Sequence, residues 1–113
     1  MQKTSKMPEA FCLVMTTTAS EAEAETMARQ IVQARLAACV QVQAIKSFYV
    51  WKAQPCAEQE WLLLIKSRAA VYQALEDFIH AHHRYETPEI VQLPITAGSA
   101  DYLHWLALQT GAG

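Results

Sequence analysis

The chain has 113 residues and a formal net charge of −2, its nine Lys and Arg residues scattered along it. That length suits one domain built on one core. Without a basic stripe the composition excludes the usual kind of nucleic-acid binder, and no apolar run approaches the roughly 20 residues that span a bilayer.

Residues 1–9 read as a loose polar lead-in, followed by a single domain over residues 10–110. The first apolar run, Phe11 to Met15, is too short for a signal-peptide core, so a cytoplasmic location is expected. Cys12, Cys39 and Cys56 are odd in number and form no CxxC pair, which fits reduced thiols rather than a disulfide framework.

Phe11 to Thr17 is rich in apolar and β-branched residues and predicts the first strand. Ser20-Glu21-Ala22-Glu23 is a capping box, with Glu21, Glu23 and Glu25 placing negative charge at the positive end of the helix dipole. Ala24, Met27, Ala28, Ile31, Val32 and Leu36 then recur at helical spacing. From Ala38 the period changes to two, predicting a strand that is interrupted near Ile45-Lys46 and resumes at Phe48 to Trp51. Lys52 to Glu58, containing Pro55, reads as a turn. Glu60 to Lys66 holds a continuous apolar run, the pattern of a strand covered on both faces.

Ser67 is expected to cap a second helix whose buried stripe runs through Val71, Leu75, Phe78, Ile79 and His82. Pro88 ends that segment. Glu89 to Ile95 predicts a fourth strand, with Pro94 marking an edge. Gly98-Ser99 opens a last helix through Tyr102, Leu103, Leu106 and Leu108. The order β-α-β-β-α-β plus a terminal helix is the split βαβ arrangement of ferredoxin-like α+β domains. Two helices cover one face of such a sheet. The other face, apolar along Trp61 to Ile65, then needs a partner, and copies of the same chain are the natural cover.

Four segments in order resemble the CutA divalent-cation tolerance family. They are Ala34 to Val40, Ser47 to Trp51, Glu60 with Leu63 to Lys66, and His82 to Val91 continuing into Leu93-Pro94-Ile95, Gly98, Asp101 to Leu103 and Trp105. The resemblance implies a homotrimer with binding of copper or another divalent cation, and it brings no settled enzymatic reaction. Three departures stand out. Lys52-Ala53 follows Trp51 where the family has Trp-x-Gly, His83-Arg84-Tyr85 replaces His-Pro-Tyr, and Thr16 stands where some members carry a cysteine proposed to bind copper. A hydroxyl is a poor ligand for soft Cu(I).

Two sets of residues are candidates for a site. His82 and His83, with Glu86 and Glu89, offer imidazole and carboxylate to Zn or Cu(II) at a subunit boundary. His80 and His83 would share a face of a continuous helix, while His82 extends the apolar stripe and histidines near a helix C-terminus also complement its dipole. Tyr49, Trp51, Glu60, Lys66 and Tyr85 all match the family pattern and form the second set, able to hold a small anionic ligand between subunits. A purely structural part at the seam is the alternative for these five. Ser-His-Asp order, a Gly-rich phosphate loop and HExxH are all absent. The chain therefore reads as a binding protein, either a trimer tolerant of divalent cations or a signalling module with intersubunit clefts.

Overall fold

The computed structural model describes residues 10–111. The expected loose lead-in, 1–9, lies outside the described residues. Strand β1 (Phe11–Thr18) leads to helix α1 (Glu21–Gln33), then to strands β2 (Cys39–Trp51) and β3 (Gln54–Arg68). A 3-10 turn (Ala69–Val71) opens helix α2 (Tyr72–His82), and strand β4 (Val91–Ile95) and helix α3 (Ala100–Gln109) complete the chain. The antiparallel sheet has the order β2-β3-β1-β4, the ferredoxin-like α+β topology.

Alternation along the strands divides the sheet into two unlike faces. Cys12, Val14 and Thr16 of β1 lie beside Ser67, Ile65 and Leu63 of β3 in the register, and all six are buried under the helices. Ala24, Met27 and Ile31 of α1 with Leu75 and Ile79 of α2 close that core, whereas Val32, expected in the same stripe, is 43% exposed. The opposite face carries Gln41, Leu64, Met15 and Val91 on one rung and Cys39, Lys66, Leu13 and Leu93 on the next. Val91 and Leu93 are 44% and 41% exposed. Among the described residues α3 reaches this face at Lys66, whose ammonium lies 5.5 Å from the Tyr102 ring centroid, while Leu13, Met15 and Leu64 are half-buried.

Thr16 faces the core, fully buried, and its hydroxyl is the buried side-chain oxygen with no hydrogen-bond partner among the described residues. A buried unsatisfied hydroxyl costs about 1–3 kcal/mol. Thr16→Val keeps the shape and removes the oxygen, so urea unfolding should show a gain of about 1 kcal/mol with an unchanged slope.

Three expectations are corrected. First, β2 runs without interruption through Ile45 and Lys46, every residue from Cys39 to Trp51 having a partner on β3. Second, the turn is two residues, Lys52-Ala53, and not Lys52 to Glu58. Both have positive φ, 50° and 67°, as the twist of a tight hairpin requires. Pro55 is tolerated because the closing pair Trp51 and Gln54 is the hydrogen-bonded one. The next pair, Val50 with Pro55, is not, so the missing N–H faces the free edge. Third, Ser67 caps nothing: it sits in β3 and its hydroxyl donates to the Leu36 carbonyl at 2.7 Å. The fourth strand also starts two residues later than expected, at Val91.

Left-handed backbone at a non-glycine residue costs roughly 1–2 kcal/mol. Ala53→Gly relieves that at one position, so it should stabilise the chain by about 1 kcal/mol after the added unfolded-state entropy. A rise in urea midpoint checks it.

Arg35, at φ 60°, occupies the position past α1 that usually carries glycine. Leu36 N–H donates to Ile31 O and Arg35 N–H to Val32 O, the Schellman pattern. The arginine is used elsewhere. Its guanidinium donates to Leu108 O and Gly111 O, and Gly111 N–H returns a bond to Arg35 O. Arg68 holds Thr110 through Oγ1 and the carbonyl. Two cations thus cap the negative end of α3 and fix it against the strand layer.

β1 ends opposite Trp61, so β2 and β3 continue alone for seven pairs, from Ile45↔Glu60 to Trp51↔Gln54. The pairs form an arm of roughly 20 Å. It gives the molecule extents of 57 × 28 × 25 Å and a radius of gyration of 15.8 Å, against about 13 Å for a compact chain of this size.

Candidate functional site

The segment between α2 and β4 folds back across the root of this arm. His83 leaves the helix with φ −88° and ψ 146°, so it does not share a helical face with His80. Its Nδ1 accepts from Tyr85 N–H at 3.0 Å, which places the ring proton on Nε2, donated to Thr17 O at 2.7 Å. Both nitrogens are committed. The ring ties the segment to the end of β1.

Tyr85, two residues on, reaches the arm and donates its phenol to Glu60 Oε2 at 2.7 Å. Tyr49 makes the matching bond from β2 to Glu58. Glu60 is 6% exposed although it belongs to the uncovered face by register, because Tyr85 lies over it. Between arm and segment runs an open groove of about 810 Å³, with Tyr49, Trp51, Glu58, Glu60, Tyr85 and Glu86 among its walls and Arg84 and Glu89 at the rim segment. Its side chains from β2 and β3 share the side of the sheet on which the uncovered apolar face lies.

Of the residues expected to act, Tyr49, Trp51, Glu60, Tyr85, Glu86 and Glu89 come together in this groove. Lys66 does not. It is six residues along β3 from Glu60, roughly 20 Å, with its ammonium 5.5 Å from the Tyr102 ring centroid. His82 lies on the other side, in a smaller hollow with Glu23 and Gln30. It is exposed rather than packed in the stripe, stacking on Phe78 with ring centroids 4.0 Å apart. Its Nδ1 donates to Phe78 O at 2.8 Å, which leaves the Nε2 lone pair open.

Within one chain these residues do not build a copper centre. Among the described residues no three His, Cys, Asp or Glu side chains are close enough to hold a metal ion, and His83 has no nitrogen to give. Thr16, at the position of the family's proposed copper cysteine, points into the core and away from any surface site. Glu58 went unrecognised in the sequence because it was assigned to a turn. On a strand its spacing of two from Glu60 puts both on one face.

The carboxylates set the acid–base character of the groove. The hydrogen bond to Glu58 leads in pushing the Tyr49 phenol up to about 12, and burial followed by the bond to Glu60 pushes Tyr85 up as well. Burial raises the Cys12 thiol to about 11. In each case the neutral form is favoured in the folded chain, so the stabilisation is complete below the unfolded values, about 9 for the thiol and 10 for the phenols. It is lost as pH rises through the folded values. Melting temperature should therefore fall above about pH 10, and absorbance titration should find Tyr49 and Tyr85 ionising later than a free phenol.

Comparison with known proteins gives one answer. A family model described as CutA1 divalent ion tolerance protein matches residues 12–109. The "Divalent-cation tolerance protein CutA" of Thermus thermophilus is 42% identical over 100 residues, 88% of this chain and 97% of that protein. "Protein CutA, chloroplastic" of Arabidopsis thaliana is 39% identical over 111 residues, 97% of this chain, which spans only 60% of that relative's length. The crystal structure of CutA1 from Oryza sativa superposes with a TM-score of 0.88 at 33% identity, covering 92% of this chain and 96% of that one.

Proposed function

The chain belongs to the CutA1 divalent ion tolerance family, and from that premise we propose that it acts as a homotrimeric binding protein whose uncovered sheet faces turn inward. The observation that carries this is the apolar rung of Leu64, Met15 and Val91, on which Val91 is exposed and Leu64 and Met15 only half-buried in a single chain. Burying such a face contributes about 25 cal/mol per Å². Three is the number the family resemblance implies. In this reading the aromatic arm, with Phe48 76% and Val50 71% exposed, lies along a neighbouring chain, and the groove sits at the seam. Native mass spectrometry tests the stoichiometry, with three times 12.7 kDa expected.

The divalent-cation part of the proposal is weak surface binding of copper or another divalent ion. His82 Nε2 is the ligand that fits, since the Nδ1 bond to Phe78 O orients it. Glu86 and Glu89 contribute only where a second chain completes the set, and His83, with both nitrogens committed, stays outside it. Calorimetric titration with Cu(II) and Zn(II) should show uptake lowered by His82→Ala and unchanged by His83→Ala. Equal uptake by all three proteins contradicts this assignment. Binding, not catalysis, is the activity proposed, and the three free cysteines suit a reducing compartment such as the cytoplasm.

A second reading is supported by the groove itself. Its size lies within the range of small-molecule sites, and its aromatic walls with a few placed polar groups are the usual lining. In that reading the trimer is a sensor whose clefts take a small ligand.

A further inference from the structure

The walls of the groove are strongly unequal in charge. Glu58, Glu60, Glu86 and Glu89 line it, against Arg84, and the Arg84 guanidinium is turned toward Glu23 of α1 at 3.9 Å. Glu58, Glu86 and Glu89 are exposed. Glu60 is not: at 6% exposure it accepts one phenol on Oε2, and no described group donates to its other oxygen. Its second oxygen is not among the buried atoms left without a partner, so it keeps contact with solvent, and the residue lines the groove.

A single metal ion is a poor match. A divalent ion needs several oxygens within about 2.6 Å, and no three acidic, His or Cys side chains converge here. Glu58 and Glu60 stand two apart on one strand face, roughly 7 Å along it, with Glu86 and Glu89 across the groove. The negative charge is divided between the two walls of the groove, which Tyr49, Trp51 and Tyr85 also line. Aromatic faces attract ammonium groups and accept the methylenes between them. Resting on the reading of the groove as a small-molecule cleft, we infer that its ligand is an extended organic cation, a linear aliphatic polyamine, held by ammonium–carboxylate pairs at separate points on the two walls of the groove.

Calorimetry and thermal shift with spermidine test this on the full chain, with solution mass measured on the same samples. Saturable binding at one spermidine per chain is expected, with a raised melting temperature. Glu86→Gln/Glu89→Gln, at exposed positions, should weaken it at least tenfold without changing mass or fold, and Glu60→Gln should do so separately. Magnesium at matched ionic strength should compete no better than sodium. Lack of saturable binding, equal binding by the variants, or displacement by magnesium beyond its ionic strength would each overturn the inference. The four carboxylates belong to one chain, and the solution mass shows in which assembly any binding occurs. Binding by a single-chain particle would refute the trimer alone, and a trimer that ignores spermidine would refute this inference alone.

Discussion

Leu64→Asp should reduce the assembled particle to single chains. Leu64 lies at the middle of the uncovered face, between Met15 and Gln41 on its rung. The substitution forfeits the ~2 kcal/mol of burying a leucine side chain. It also sets an unpaired carboxylate into an apolar interface once per chain. A loss of roughly 4 kcal/mol per chain weakens association about a thousandfold. The core side of the same strand, Leu63 and Ile65, is untouched, so circular dichroism should retain both helix and strand signals. Leu64→Met, which conserves volume, should leave the mass unchanged. A Leu64→Asp particle of full mass would place the subunit contact elsewhere.

Tyr85→Phe should cost about 2 kcal/mol, the range for a hydrogen bond to a charged group. The phenol is the donor on Glu60, and its loss leaves a buried carboxylate with nothing in its place. The effect should be coupled: in a double-mutant cycle with Glu60→Gln, the two changes should fall short of additivity by at least about 1 kcal/mol. Urea unfolding of the four proteins measures this. Strict additivity would mean that the contact contributes nothing and that the segment is held by His83 alone.

Much of the fold was written locally. The Ser20 cap is present as expected, its hydroxyl accepting from Glu23 N–H, and the 3.6-residue stripe of Ala24, Met27 and Ile31 is buried. Both signals act within a few residues of themselves. The two-residue turn of the hairpin was hidden because it lacks the Asn or Gly that such a loop normally shows. Lys52-Ala53 is held left-handed by the register of thirteen strand pairs, and Pro55 reads as a breaker until its pair proves to be the non-hydrogen-bonded kind.

The same gap explains the site. With residues 52–58 taken as a turn, Glu58 had no face, and the arm lacked the pairs from Ser47↔Glu58 to Trp51↔Gln54. Lys66 and Glu60 share a strand face, and parity alone cannot say that six residues separate them by most of the sheet's width. The histidines failed as a set for a different reason. Whether a ring nitrogen is free depends on bonds to Thr17 and Phe78, and nothing in the spacing of His82 and His83 reveals those partners. The apolar run from Trp61 to Ile65, by contrast, correctly signalled a strand, paired on both sides, with Leu62 and Leu64 half-buried on its second face.

Sedimentation equilibrium of the unaltered chain, from high to low micromolar concentration, bears on the central claim most directly. A single species of three chains, persisting on dilution, is the result expected if other copies complete the apolar face of the sheet. A well-folded particle of 12.7 kDa across that range would contradict it.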